Sequence, residues 1–291
     1  MRMTKSSYLS IAIVAFVIVI GLSSCEEIGP DICLKNCGPQ DVLVDTTYIT
    51  SNVQQPQPKK VLLEDFTGVR CTNCPQGHGL AHDLEVQHLG QIVAVGCHSD
   101  FLAQPYPGWP DLRTTAANNL SDLLSPPAKP YAAIDRVRWP GQTFIPVGLQ
   151  NWSGNTNTRL QEVPPVNLNL TSTYTDTSRE TIIRMELHYT QTLAGSNRFG
   201  LWLMEDSINS AQLNGSNVDS PYFHMHVLRE YLTPVNGVAI NESLVPGRVI
   251  IKEFPVTISS AYDADQVTIG LWVSAGGASL EILQAAKTKL K

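Results

Sequence analysis

The chain has 291 residues, 43% of them hydrophobic and only 16% charged, with a formal charge of −6. That length holds one or two domains, and so few charges suit an exported protein better than a cytosolic enzyme. The first 24 residues carry Arg2 and Lys5 and no acid, which leaves 18 bases against 26 acids, or −8, for the remainder. That balance argues against nucleic-acid binding, which needs a basic surface.

Arg2 and Lys5 form the positive start of a signal peptide, and Ile11 to Ile20 its apolar stretch. Leu22-Ser23-Ser24 then runs into Cys25, a string that resembles a bacterial lipobox and makes Cys25 the lipidated first residue of the mature chain. The rival is an uncleaved anchor, but the apolar run is short for a span. No other segment is long and apolar enough to cross a membrane. Residues 25–58 read as a tether, with Gly29-Pro30, Gly38-Pro39 and Gln54-Gln55-Pro56-Gln57-Pro58; proline-rich tethers are extended. Cys33 and Cys37 lie close together in it, and an oxidising compartment makes a local disulfide between them plausible; spacing alone does not exclude other thiol partners.

The next stretch organises the chain. Lys60 to Phe66 reads as a buried strand. Thr67-Gly68 follows, then Cys71 and Cys74 two residues apart, then a helical pattern from Cys71 to Leu89 with Leu80, Leu84 and Leu89 as apolar positions and Gly90 closing it. A strand, a turn and a CxxC opening a helix give a redox geometry, because a helix start favours a thiolate. A strand over Ile92 to Gly96 ends at Cys97-His98. A loop with Tyr106 and Trp109 leads to a helix over Asp111 to Leu124, a proline-rich turn, a strand over Tyr131 to Val137, a return at Phe144-Ile145 and a helix over Asn151 to Glu162. Cys97 reads as a small buried hydrophobe.

LLEDFTGVRCTNC resembles the thioredoxin superfamily, and the element order agrees with it. The resemblance implies that Asp65 is the buried acid beneath the CxxC, ahead of Glu64, and that Pro130 is a cis-proline packed against it, with Pro126 and Pro127 as rivals. The longer string FTG-x-x-C-x-x-C-P-x-G-H is similar to the Omp-twenty-eight-related outer membrane lipoproteins of Bacteroidota, which couple a thioredoxin-like domain to a β-sandwich. Arg70 stands where thioredoxins have tryptophan, and Thr72-Asn73 where they have Gly-Pro.

After Pro164-Pro165 the pattern changes. Strand signals recur at Val166–Thr175, Thr181–Thr190, Phe199–Met204, Val249–Val256 and Val267–Val273, separated by turns such as Asn214-Gly215 and Asn236-Gly237. They suggest an all-β sandwich of the immunoglobulin or fibronectin type. His224 and His226 alternate in a strand-like segment, HMHVLR, that resembles a recurring string of the outer membrane family; a polar exposed face is the plainer reading of the pair.

The expected organisation is a signal peptide over 1–24, a lipidated tether over 25–58, an α/β thioredoxin-like domain over 59–163 with a mixed sheet flanked by helices, and a β-sandwich over 164–291. The expected activity is thiol–disulfide exchange with exported proteins bearing thiols or disulfides, at an outer membrane reached through the lipid anchor. Cys71 attacks, Cys74 resolves, Asp65 manages the proton and Pro130 shapes the groove. No cofactor is implied. Two other readings of the CxxC stay open: an inert disulfide in a binding or assembly lipoprotein, and a Zn or Cu(I) site of Cys71, Cys74, His78 and His82.

Overall fold

The computed structural model describes residues 43–291. The expected signal peptide, Cys25, Cys33 and Cys37 lie outside those residues. The first part of the described chain forms β1 (Val44–Ile49), β2 (Val61–Thr67), α1 (Cys74–Gln87), β3 (Ile92–His98), α2 (Thr115–Leu124), β4 (Tyr131–Ile134), β5 (Val147–Gly148) and α3 (Trp152–Leu160). The rest is strand: β6 (Val166–Thr175), β7 (Glu180–Tyr189), β8 (Asn197–Glu205), β9 (Ile208–Asn214), β10 (Asn217–His224), β11 (Val227–Tyr231), β12 (Val238–Ile240), β13 (Arg248–Thr257), β14 (Val267–Gly276) and β15 (Ser279–Lys289).

One sheet runs through both halves in the order β15-β14-β8-β11-β3-β2-β4-β5, with β12 also on β8. Its α/β end is mixed: β2 is parallel to β3 and antiparallel to β4, and β4 is antiparallel to β5. The two ends meet where β11 pairs parallel to β3 at Val227 and Gly96. A second sheet, β1-β13-β7-β6, packs on the β end through a core that includes Leu187, Tyr189, Phe199, Phe254 and Leu271. The hairpin β9-β10 belongs to neither large sheet.

All seven residues of β2 are buried, because helices cover both faces. Val61 and Leu63 face α1 and α3 through Ala81, Leu84 and Trp152. Leu62 and Phe66 face α2 through Ala117 and Leu120. Among the described residues no helix is long and apolar enough to cross a membrane.

Several expected boundaries move for local reasons. The tether stretch contains β1, which adds an edge to the second sheet by pairing with β13. Helix α1 starts at Cys74 rather than Cys71: Pro75 lacks an N–H and suits the first helical turn. Its buried face is Cys74, Gly77, Ala81 and Leu84, while Leu89 is exposed. Helix α2 starts at Thr115, because Thr114 Oγ1 caps the N–H of Ala117 and Asp111 instead pairs with Arg113. Strand β4 stops at Ile134, since Asp135 and Arg136 take left-handed φ of 47° and 52°. The strand that returns on it is Val147–Gly148, not Phe144-Ile145.

That left-handed pair is held by buried charge. Asp135 accepts from Lys59 Nζ at 2.7 Å and Arg159 Nε at 2.8 Å, and its Oδ1 accepts from the N–H of Leu62. Arg136 donates to Glu64, with Nη2 2.7 Å from Oε1, and its guanidinium lies 4.8 Å from the Trp272 ring centroid. Both networks reach into the β end, since Arg159 also donates to the carbonyl of Ile282 and Arg136 to the hydroxyl of Tyr231.

Candidate functional site around a buried disulfide

Residues 68–73 turn the chain from β2 into α1. The N–H of Cys71 donates to the carbonyl of Gly68 at 3.0 Å, and that of Arg70 to the carbonyl of Leu102 at 2.7 Å. Gly68 is required there: a Cβ would lie 2.5 Å from the Leu102 oxygen. Cys71 and Cys74 form a disulfide, with Cα atoms 5.4 Å apart. The bond is nearly closed to solvent, with Cys71 4% and Cys74 0% exposed.

The hairpin β9-β10 lies on this turn. The N–H of Leu213 donates to the carbonyl of Val69 at 2.8 Å, and that of Gly215 to the carbonyl of Thr72 at 3.2 Å. Gln212, buried, donates its side-chain amide to the carbonyls of Gly68 and Cys71. On another side, Arg70 donates to the carbonyls of Gln104 and Pro105 and stacks 4.3 Å above the Tyr106 ring. The CxxC turn is therefore pinned by segments remote in sequence.

Asp65 faces α1, and Glu64 faces the other way, as strand alternation requires. Gly77 in α1 makes that close approach possible: its Cβ position would be 3.2 Å from Pro130 Cβ and 3.5 Å from Asp65 Oδ2. Asp65 is 4% exposed and its Oδ1 has no hydrogen-bond partner among the described residues. Burial pushes its carboxyl up to about 8, against the opposing pull of the Lys129 charge. The Lys129–Pro130 peptide bond is cis and directly precedes β4.

Beside α1 lies a cavity of about 480 Å³, lined mainly by apolar surface but also by Asp65, His78, His98, Tyr222 and His224. His78 shares hydrogen bonds of 2.7 Å with Thr67 Oγ1 and the Tyr222 hydroxyl. His98 Nε2 lies 3.3 Å from His224 Nδ1. Burial, then neighbouring imidazoles, pushes His78 down to about 3, and burial pushes His224 down to about 4. His98 is lowered for the same reasons.

His224 and His226 do not share a strand face. His224 ends β10 and is buried, whereas His226 sits before β11 with φ of 56°. Its left-handed turn sends its ring to Glu85 at 2.8 Å and Asp206 at 3.0 Å. Burial opposes its charge, but those two carboxylates raise its pKa to about 9.

The sequence matches the family described as outer membrane protein Omp28 over residues 124–291, more than half of the chain. The chain belongs to the Omp28 family. No curated relative matches the sequence. Among solved structures, HBP35 of Porphyromonas gingivalis is similar with a TM-score of 0.60 at 17% identity, over 81% of this chain and 77% of that one. Protein AGR_C_4864 from Agrobacterium tumefaciens is similar with a TM-score of 0.54 at 14% identity, over 81% of this chain and 96% of that one. At such identities the likeness is one of fold. It spans both halves, whereas the Omp28 match begins at the end of α2 and does not include the CxxC turn.

Of the residues expected at a site, the fold gathers Asp65 and Pro130 at Gly77 in the helix that Cys74 opens, with Cys71 bonded to Cys74. The proposed Cys71, Cys74, His78 and His82 metal set is not assembled: the thiols are bonded to each other, and among the described residues no three His, Cys, Asp or Glu are grouped to hold an ion. Cys97 is a free, buried thiol. Sequence reasoning missed His98, Tyr222 and Gln212. HMHVLR drew notice, but only the fold brings His224 to His98, 126 positions earlier.

Proposed function

We propose that this Omp28 family member is a lipid-anchored outer membrane protein with a thioredoxin-like domain that exchanges disulfides with exported proteins. Signal peptide 1–24, lipidated Cys25, a tether to 58 with a Cys33–Cys37 disulfide, an α/β domain over 59–163 and an immunoglobulin-like sandwich over 164–291 are all parts of this reading. The mixed strand order β3-β2-β4-β5 with helices on both faces supports the thioredoxin-like assignment.

The observation that carries the chemistry is Asp65. A buried carboxyl lies under the helix that begins at Cys74, with a raised pKa and an unpaired oxygen. A group of that kind is costly to fold and suited to moving a proton. In the reaction, the Cys71 thiolate attacks a partner disulfide and forms a mixed disulfide while the partner's other sulfur leaves as thiolate. Asp65 accepts the proton of Cys74, and the Cys74 thiolate displaces the partner from Cys71. Pro130, beside the first turn of α1, bounds the groove.

The test is a Cys74→Ser variant of the full chain expressed in its own envelope. Mixed disulfides on Cys71 with exported proteins support exchange. Their absence, together with a Cys71–Cys74 bond that resists excess glutathione, overturns it. A second reading has its own observation, the near-complete burial of the disulfide. On that reading the bond is structural and the protein is a binding or assembly lipoprotein.

A further inference from the structure

Two imidazoles face each other in the cavity wall. His98 Nε2 and His224 Nδ1 are 3.3 Å apart, with the ring planes crossed at 76°. The residues are 1% and 2% exposed. Their other nitrogens, His98 Nδ1 and His224 Nε2, are buried with no hydrogen-bond partner among the described residues.

A neutral imidazole has one N–H and one lone pair, and its second partner fixes which nitrogen keeps the proton. If each outer nitrogen keeps the proton, two lone pairs converge at 3.3 Å. With a proton on one inner nitrogen the contact is a hydrogen bond; with both inner nitrogens bare it is a seat for a cation. A tetrahedral ion with Zn–N bonds of about 2.0–2.1 Å sets two nitrogens about 3.3–3.4 Å apart, so the pair already has the spacing.

We propose that His98 and His224 are two ligands of a divalent transition-metal site, of the Zn²⁺ class, opening on the cavity, and that His78 is the third. The His78 ring centroid lies 6.0 Å from that of His224. It joins by turning away from Tyr222, and this turn gathers the third ligand that the resting side chains lack. The remaining position faces the cavity and takes water. Neither cysteine lines that cavity, although Asp65 does, so metal binding needs no thiol ligand.

The experiment uses the full chain with its disulfide oxidised, which removes the CxxC thiols as ligands. Zn²⁺ is titrated by calorimetry and Co²⁺ by visible absorption. The expected result is one equivalent bound, with a Co²⁺ spectrum of nitrogen ligands. His98→Gln and His224→Gln each weaken binding at least ~10-fold, a loss that even outer partners of metal ligands produce. The exposed His82→Ala leaves binding unchanged. Tyr222→Phe frees His78 Nδ1, leaves its Nε2 on Thr67 and spares the other two rings, so it keeps or tightens binding and remains informative if the glutamine variants fold poorly. The proposal is overturned by absence of saturable binding, by binding that survives both glutamine variants, or by a Tyr222→Phe chain that binds more weakly.

Discussion

Glu64 and Asp65 are adjacent carboxylates on one strand, both buried, and they have opposite fates. Glu64 faces α2 and the β end, where Arg136 meets it with two nitrogens and Tyr231 stands behind. Asp65 faces α1, with one oxygen unpaired and its pKa raised. The same chemical group is thus a fastener on one face and a cost on the other. A buried charge is tolerable when paired and hydrogen-bonded, and is otherwise neutralised by taking a proton. The unpaired face is therefore where function is sought.

The largest expected effect breaks the paired face. Glu64→Gln leaves the Arg136 guanidinium buried and 1% exposed without its counter-charge. Removing one partner of such a pair costs about 3–5 kcal/mol. Urea unfolding should show a lowered midpoint with little change in slope. The double variant Glu64→Gln, Arg136→Met should recover part of the loss, because no charge is then stranded. A single variant within about 0.5 kcal/mol of the parent would mean that Glu64 is not a fastener.

The second effect has the opposite sign and tests the unpaired face. Asp65 has its folded pKa raised from 3.8 to about 8. Its contribution to stability is fully present below pH 3.8 and is lost as pH rises toward 8, because the unfolded chain releases the proton first. Asp65→Asn should therefore stabilise the fold at neutral pH, on the order of 2–4 kcal/mol, and flatten stability between those limits. The same variant should slow release of a trapped mixed disulfide. Destabilisation at pH 7 would show that Asp65 is ionised and satisfied in the fold.

Much of this contrast was legible in the sequence. The apolar run before the CxxC marked β2 and alternation set Glu64 against Asp65, whereas Pro130 was singled out from Pro126 and Pro127 only by the resemblance to thioredoxins. What the sequence hid depends on long-range closure. Asp135 and Arg136 read as strand residues because their left-handed turn is imposed by partners at Lys59, Arg159 and Glu64. The hairpin β9-β10 has little apolar alternation, since its role is to lie on the CxxC turn through backbone groups and Gln212. β1 sat in a tether-like stretch because an edge strand with mostly exposed residues needs few apolar side chains.

A third, smaller effect sharpens the comparison at the disulfide itself. Gln212→Ala removes the amide that donates to the carbonyls of Gly68 and Cys71 and keeps the two backbone bonds of the hairpin. A hydrogen bond contributes about 0.5–1.5 kcal/mol net, so the cover should open ~2- to 13-fold more often. Reduction of Cys71–Cys74 by glutathione should accelerate by that factor. An unchanged rate would mean that the hairpin does not limit access.

The smallest effect concerns Arg70. Position before a helix start favours the Cys71 thiolate, and a nearby guanidinium adds to that. Yet the Arg70 guanidinium already donates to the carbonyls of Gln104 and Pro105 and lies over Tyr106. Its charge is half committed to that loop, and solvent screens the remainder. In the reduced protein, iodoacetamide across a pH series should label Cys71 before Cys74, which begins the helix and is fully buried. Arg70→Ala should raise the apparent pKa of Cys71 by less than ~1 unit, with the order of labelling preserved. A larger rise would make Arg70 the main source of thiolate stabilisation. Equal, slow labelling of both cysteines at or above the free-thiol value of about 8.5 would remove the exchange role. The inert disulfide would then be the better reading of the CxxC, with Asp65 a folding cost that some other use of this face must explain.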